Sequence, residues 1–112
     1  MATENKVRAL IHGTDTLRRG VASPLRVTLA HPMENGLRAD GYGNRVPRSL
    51  CTRFECRLDG ALVFAADLLY PAIAANPTLA FWLKADAPGS LSFEWTGNWG
   101  FVHRETRAIQ PT

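Results

Sequence analysis

"LCTRFECRLDGALVFAAD", residues 50–67, decides the fold class. Its first half alternates, with Leu50, Thr52, Phe54, Cys56 and Leu58 on one side and Cys51, Arg53, Glu55 and Arg57 on the other. A period of two belongs to a half-buried β-strand, because successive side chains point to opposite faces. Asp59-Gly60 then supplies a two-residue turn, and Gly accepts the positive φ of a type I′ hairpin. "ALVFAAD" is the returning strand.

The same period recurs on both sides of this hairpin. Val7, Ala9 and Ile11 share a face in "KVRALI", and Leu25, Val27 and Leu29 do so in "PLRVTLA". "LAFWLK" sets Leu79, Phe81 and Leu83 against Ala80, Trp82 and Lys84, and "LSFEW" sets Leu91, Phe93 and Trp95 against Ser92 and Glu94. Pro88-Gly89 separates these two runs, and Gly97-Asn98 joins the second to "WGFVHRE". One segment, "DLLYPAIAANP", has some helical character, but Pro71 and Asn76-Pro77 interrupt it. It is expected to form a turn or a short 3₁₀ piece. About seven short strands with frequent turns predict an all-β, Ig-like antiparallel β-sandwich.

The chain has 112 residues, which suits a single domain over 1–112. With 46% hydrophobic and 21% charged residues, it has a composition that buries a core. Thirteen Lys and Arg against ten Asp and Glu give +3, spread without a long basic run or an interleaved basic-aromatic pattern. That speaks for a solvated, Arg-rich surface rather than a nucleic-acid groove. "MATENKVRAL" lacks the basic-then-apolar order of a secretory signal, and no stretch has the ~18 apolar residues of a membrane span. The chain is therefore expected to stay where it is made unless a partner carries it elsewhere.

Between the second and third strands lies "LAHPMENGLRADGYGNRVP", residues 29–47. Connections are usually 4–6 residues, and those beyond about 12–15 are generally functional or disordered. Met33, Leu37, Tyr42 and Val46 recur along it, so an ordered loop is expected whose apolar residues cover a sandwich edge or another chain. His31, Met33 and Glu34 invite a copper reading, but such a site also needs a Cys and a second His close by. No nucleophile elbow, H-E-x-x-H, C-x-x-C or phosphate-cradling loop is present. Catalytic, cofactor and metal residues are thus expected to be none. A metalloenzyme using His31 and Cys51 is a lesser alternative.

Trp82 falls opposite Phe81 and Leu83, and Trp95 and Trp99 flank the last turn. Large aromatics on an outward face suit a protein interface. Cys51 and Cys56 are five apart, hence on opposite faces and roughly 16 Å from each other, too far for a disulfide. Cys56 reads as a buried small hydrophobe. Cys51 falls on the face of Arg53, Glu55 and Arg57, where it could be exposed, and three readings stay open: an incidental, partly covered thiol, an intermolecular disulfide, or a reactive thiol.

His31-Pro32-Met33-Glu34-Asn35-Gly36 resembles the "HPMETG" signature of the SoxZ family of the sulfur-oxidising Sox system. Asp40 to Gly43 with Val46-Pro47 resembles that family's glycine-containing loop. Ala75-Asn76-Pro77 with Leu79 and Phe81, and Trp95, Asn98 and Gly100, resemble two further family segments. The likeness runs from about Lys6 to Arg107. Asn35 stands where the family usually has Thr. Neither cysteine belongs to a family motif.

The resemblance implies an Ig-like sandwich, a non-catalytic role, and pairing with SoxY into a heterodimeric carrier of sulfur intermediates in thiosulfate oxidation. In that family the sulfur rides on a cysteine in a Gly-Gly-Cys-Gly-Gly tail of SoxY. This sequence closes on "RAIQPT" and carries no such arm, so the scaffold role is expected. The resemblance also implies a periplasmic location, with export on the signal of a SoxY partner. His31, Pro32, Met33, Glu34, Leu37 and Trp82 are the candidate contact residues, and Cys51 is the candidate for an intermolecular disulfide to SoxY. The rival expectation is a stand-alone Ig-like ligand-binding or adhesion module.

Overall fold

The structure is a computed structural model that describes residues 8–34, 36–68 and 75–112. Seven strands form two antiparallel sheets. They are β1 (Ala9–His12), β2 (Ser23–Leu29), β3 (Cys51–Leu58), β4 (Ala61–Asp67), β5 (Thr78–Leu83), β6 (Gly89–Gly97) and β7 (Val102–Ile109). One sheet has the order β1-β2-β5 and the other β4-β3-β6-β7. This is the expected β-sandwich. Val7 and most of the expected turn in "DLLYPAIAANP" lie outside the described residues.

The alternating residues meet between the sheets. Leu25, Val27 and Leu29 of β2 and Phe81 and Leu83 of β5 face Phe54 of β3 and Leu91, Phe93 and Trp95 of β6. Phe54 is central: its ring centroid lies 5.0 Å from Trp95, 6.0 Å from Phe81, 6.1 Å from Phe64 and 6.4 Å from Phe93. Rings at such separations add to area burial, and truncating one like this costs roughly 3–5 kcal/mol. At one margin Glu105 of β7 ties the sheets together. It accepts the Ala9 backbone N–H of β1 at 3.2 Å and pairs with Arg107 at 2.8 Å.

The turns follow the sequence closely. Asp59 (φ 49°) and Gly60 (φ 89°) both take the positive φ of the expected hairpin. The β6–β7 connection is a single 3₁₀ turn, Asn98–Gly100, with Trp99 at φ 59°. Trp95 is buried within β6, whereas Trp99 is exposed, so only one of the pair flanking this turn presents a surface.

The strict period fails at the start of β3. The β3–β6 register shifts between Cys51 and Arg53, opposite Gly97 and Thr96. This bulge makes room for one extra residue, so Cys51 turns inward and Thr52 outward. The expectation of an outward Cys51 is thereby corrected. Close approach at the bulge requires Gly97: a Cβ there would lie 2.0 Å from the Leu50 carbonyl oxygen and 2.8 Å from the Cys51 Cα. Gly97→Ala should therefore lower stability by about 2 kcal/mol or more in urea denaturation, as overpacking against backbone does. Gly41→Ala, with open space around it, should change it by less than about 0.5 kcal/mol; equal effects at the two sites would refute the close-approach account.

Candidate functional site

The long connection between β2 and β3 is an ordered arm. Glu34 bridges to Ser49 and Ala39 to Arg45, so the segment runs out and back as an irregular hairpin. At its tip Asp40 Oδ1 accepts the N–H groups of Tyr42 (2.7 Å) and Asn44 (3.0 Å), the local bonding that makes Asp a turn residue. A two-point ion pair, Arg38 Nε and Nη2 to Glu34 at 3.1 and 2.8 Å, braces one side. β6, with nine residues, spans only about 30 Å. The longest axis of the molecule is 55 Å, and the tip of the arm is exposed, Tyr42 at 92%.

Two asparagines fix the feet of the arm by the same pattern. At the first foot, Asn76 Oδ1 accepts the His31 N–H at 3.0 Å, and the Asn76 N–H donates to the His31 carbonyl at 2.8 Å. At the second, Asn98 Oδ1 accepts the Leu50 N–H at 2.9 Å, and the Asn98 N–H donates to the Leu50 carbonyl at 2.9 Å. Each clamp satisfies both backbone groups of a residue that has just left, or is about to enter, a strand. Asn76 does this at φ 54°, a conformation that Asn tolerates better than most residues. Trp99 adds a brace, its indole N–H donating to the Arg48 carbonyl at 2.7 Å.

The His-Pro-Met signature sits inside this base. His31 is only 4% exposed, its ring edge-on to Phe101 with centroids 4.9 Å apart. Its Nδ1 accepts the Met33 N–H at 2.9 Å, so Nδ1 carries no proton and the ring is neutral with its hydrogen on Nε2. Burial holds this imidazole below its ordinary value of 6.5. Met33 is buried too, and its Sδ accepts the Cys51 N–H at 3.4 Å. His31, Met33 and Cys51 do converge, but each is occupied: Nδ1 and Sδ accept backbone protons, and the Cys51 thiol is turned toward the Arg53 carbonyl at 3.9 Å. Among the described residues no three of His, Cys, Asp and Glu group as a metal site.

The candidate contact residues are thus of two kinds. His31 and Met33 are interior supports of the arm, a correction to their reading as contact surface. Pro32 and Leu37 are exposed, Leu37 at 64%. Glu34 is partly covered and paired to Arg38. Trp82 is 70% exposed, but it lies in register with Pro24 at the start of β2, whereas His31 follows the end of that strand. Seven residues of extended chain separate the two levels, roughly 23 Å. Trp82 and the arm therefore do not form one patch. Of the loop's other apolar residues, Tyr42 is almost fully exposed and Val46 partly covered, so Met33 alone packs into the core.

Both thiols are interior. Cys51 is 1% exposed and Cys56 is fully covered. Burial pushes Cys51 up to about 11 and Cys56 up to about 12, so neither forms the thiolate that reacts at neutral pH. A disulfide from Cys51 to another chain would require the foot of the arm to open.

Comparison with known proteins adds the family. The family model for sulphur oxidation protein SoxZ matches residues 11–108. The chain belongs to the SoxZ family. It is accordingly a component of the sulfur-oxidising Sox system. The family match spans the arm, both clamps and nearly the whole sandwich, so the clamps lie within the part that defines a SoxZ domain. Superoxide reductase (neelaredoxin) from Ignicoccus hospitalis resembles it in structure. Two single-substitution forms of that protein each align with TM-score 0.69 at 15% identity, over 93% of this chain and 79% of theirs. A third structure of it aligns with TM-score 0.68 at 14% identity, over 96% and 81%. At this identity the likeness shows the fold alone. No curated protein matches the sequence.

The clamps escaped sequence reasoning, which saw Asn76-Pro77 as a stop and Gly97-Asn98 as a turn. Their partners lie 45 and 48 residues away, a separation with no local signature; only the family likeness marked these positions.

Two outcomes follow. Iodoacetamide at pH 8 should leave both cysteines of the native protein unlabelled and modify both after addition of denaturant; fast native labelling of Cys51 would contradict its burial. The His31 ring gives a pH dependence. Its folded value lies below 6.5, so between the two values the unfolded chain binds the extra proton and stability rises with pH. The contribution is complete above pH 6.5 and is lost as pH falls toward the folded value. The carboxylates of Glu34 and Glu55, held below 4.5 by hydrogen bonds from Arg38 and from Arg53 and Arg57, act at lower pH. Urea midpoints should therefore drop from pH 7.5 to 5.5, less so in His31→Gln; identical slopes in the two proteins would sink this assignment.

Proposed function

We propose that this SoxZ-family protein is the non-catalytic scaffold subunit of a SoxYZ-type carrier, which presents covalently bound sulfur intermediates during thiosulfate oxidation. The observation that carries the reading is the burial of both cysteines. A carrier of covalently bound sulfur needs an accessible nucleophilic thiol, and neutral, covered thiols do not meet that need. The thiol is therefore assigned to SoxY, on a flexible glycine-rich arm whose low bulk lets it enter enzyme clefts. This chain contributes a rigid surface.

In this role the heterodimer forms first and docks as a unit with the enzymes that load, oxidise and release the sulfur. A stable pair buries about 1,200 Å² or more. Trp82 and the outer residues of the arm, the exposed Pro32 and Leu37 and the partly covered Glu34, are the proposed contacts. Because they lie toward opposite ends of the domain, one set serves SoxY and leaves the other for the enzymes. The proposed location is the periplasm, reached with a SoxY that carries the export signal.

Co-expression with a SoxY from the same genome, tagged on SoxY alone, should recover this protein in a one-to-one complex from the periplasmic fraction. A monomer left in the cytoplasm beside an exported SoxY would contradict both the pairing and the location.

A further inference from the structure

The two outer faces of the sandwich differ in charge. On the four-stranded sheet, three cations meet three anions. Arg53 bonds Glu55 and Asp67, both at 2.9 Å, Arg57 bonds Glu55 at 2.8 Å, and Arg104 pairs with Glu94. That face is electrically self-contained and suits water. The outer face of the three-stranded sheet holds Arg26 on its central strand, with Arg8 just before β1 and Lys84 just after β5, all exposed; its strands carry no acidic residue, and the nearest along β5 is the exposed Asp86, two residues past Lys84. None of these cations makes an ion pair among the described residues.

The neighbours of Arg26 are equally telling. It lies on the central strand, in register with His12 on one side and Ala80 on the other. One level away, Trp82 stands beside Pro24, and on the other side Leu10 stands beside Thr28. The Thr28 and Thr78 hydroxyls bond each other at 2.9 Å. Trp82 and Leu10 are 70% and 61% exposed. A groove of about 370 Å³ runs along the Leu10 side, lined by Arg8, Leu10, Thr28, Ala30 and Asn76. An Arg set among a Trp, a Leu and small residues has the composition of an interface centre, where Trp and Arg dominate binding energy.

Charge selects the occupant. A second copy would set cations against cations. A nucleic acid held by three cations would bind weakly and release in modest salt, and a duplex, with its bases stacked inside, would leave Leu10 and Trp82 without an apolar counterpart. We infer that the outer face of the β1-β2-β5 sheet docks an acidic protein surface, one that places a carboxylate against Arg26 between two apolar contacts. Resting on the carrier reading, the inference names SoxY as that partner and makes this sheet face, not the arm, the heterodimer interface. The tip of the arm is then left to the enzymes that act on the carrier.

The test measures binding of the full-length chain to purified SoxY by calorimetry, for wild type, Arg26→Glu, Trp82→Ala, Lys84→Glu and Leu37→Ser. These side chains are exposed, and thermal melts check that each variant stays folded. Arg26→Glu should weaken binding by about 30-fold or more, the scale for breaking a desolvated charge pair. Trp82→Ala should weaken it by about 10-fold or more, and Lys84→Glu should lower affinity and reduce its salt dependence; Leu37→Ser should bind as wild type. If Arg26→Glu fails to fold, Lys84→Glu and Trp82→Ala carry the decision. Unchanged affinity in the sheet-face variants, with wild type bound tightly, overturns the inference and leaves the carrier reading standing. Failure of wild type to bind SoxY overturns both. Binding of duplex DNA or anionic vesicles that Arg26→Glu abolishes, while SoxY binding is unaffected, overturns the inference in favour of that ligand.

Discussion

Two asparagine clamps hold the arm to the sandwich, and much of the rest follows from them. A long excursion between two strands costs chain entropy and exposes backbone polar groups at both feet. Asn76 and Asn98 satisfy those groups with four hydrogen bonds, all at 3.0 Å or less. With the feet fixed, His31 is sealed against Phe101, Met33 reaches the core, and its sulfur receives the Cys51 N–H at the β3 bulge. The signature that first suggested a ligand site is thus the interior of a joint. Its imidazole and thioether are employed in backbone bonding.

The same joint bears on function through Cys51. The bulge that admits Met33 also turns that thiol inward, and Cys56 lies in the centre of the core. Two covered, neutral thiols offer no ready nucleophile, which suits the proposed scaffold role. Surface is what the domain has to offer: a self-paired charged face, a face around a tryptophan whose cations form no ion pair among the described residues, and an exposed arm. Under the proposed role these surfaces divide the tasks of holding SoxY and meeting enzymes.

The fold was legible because strand period and turn chemistry agree. Leu25, Val27 and Leu29 alternate, as do Leu91, Phe93 and Trp95, and Asp59-Gly60 has the residues its turn requires. What misled was one extra residue. Periodicity carried straight through "LCTRF" puts Cys51 outside, and nothing local announces the shift that brings it in, because the cause is the close approach of Gly97 more than forty residues away. The site was less legible for the same reason. Trp82 was correctly outward, since it depends only on alternation. The burial of His31 and Met33 depends on Phe101 and Cys51, which only the folded chain brings near. The charge contrast between the two outer faces was likewise hidden, for it needs the assignment of each strand to a sheet.

The most direct test of the account is where the sulfur resides. The proposed heterodimer with SoxY, co-purified and incubated with thiosulfate and the Sox enzymes of the same genome, can be separated into subunits under non-reducing conditions and weighed by intact-mass spectrometry. The account predicts a sulfur adduct on SoxY alone, with this chain at its unmodified mass. An adduct on Cys51 or Cys56 would contradict it.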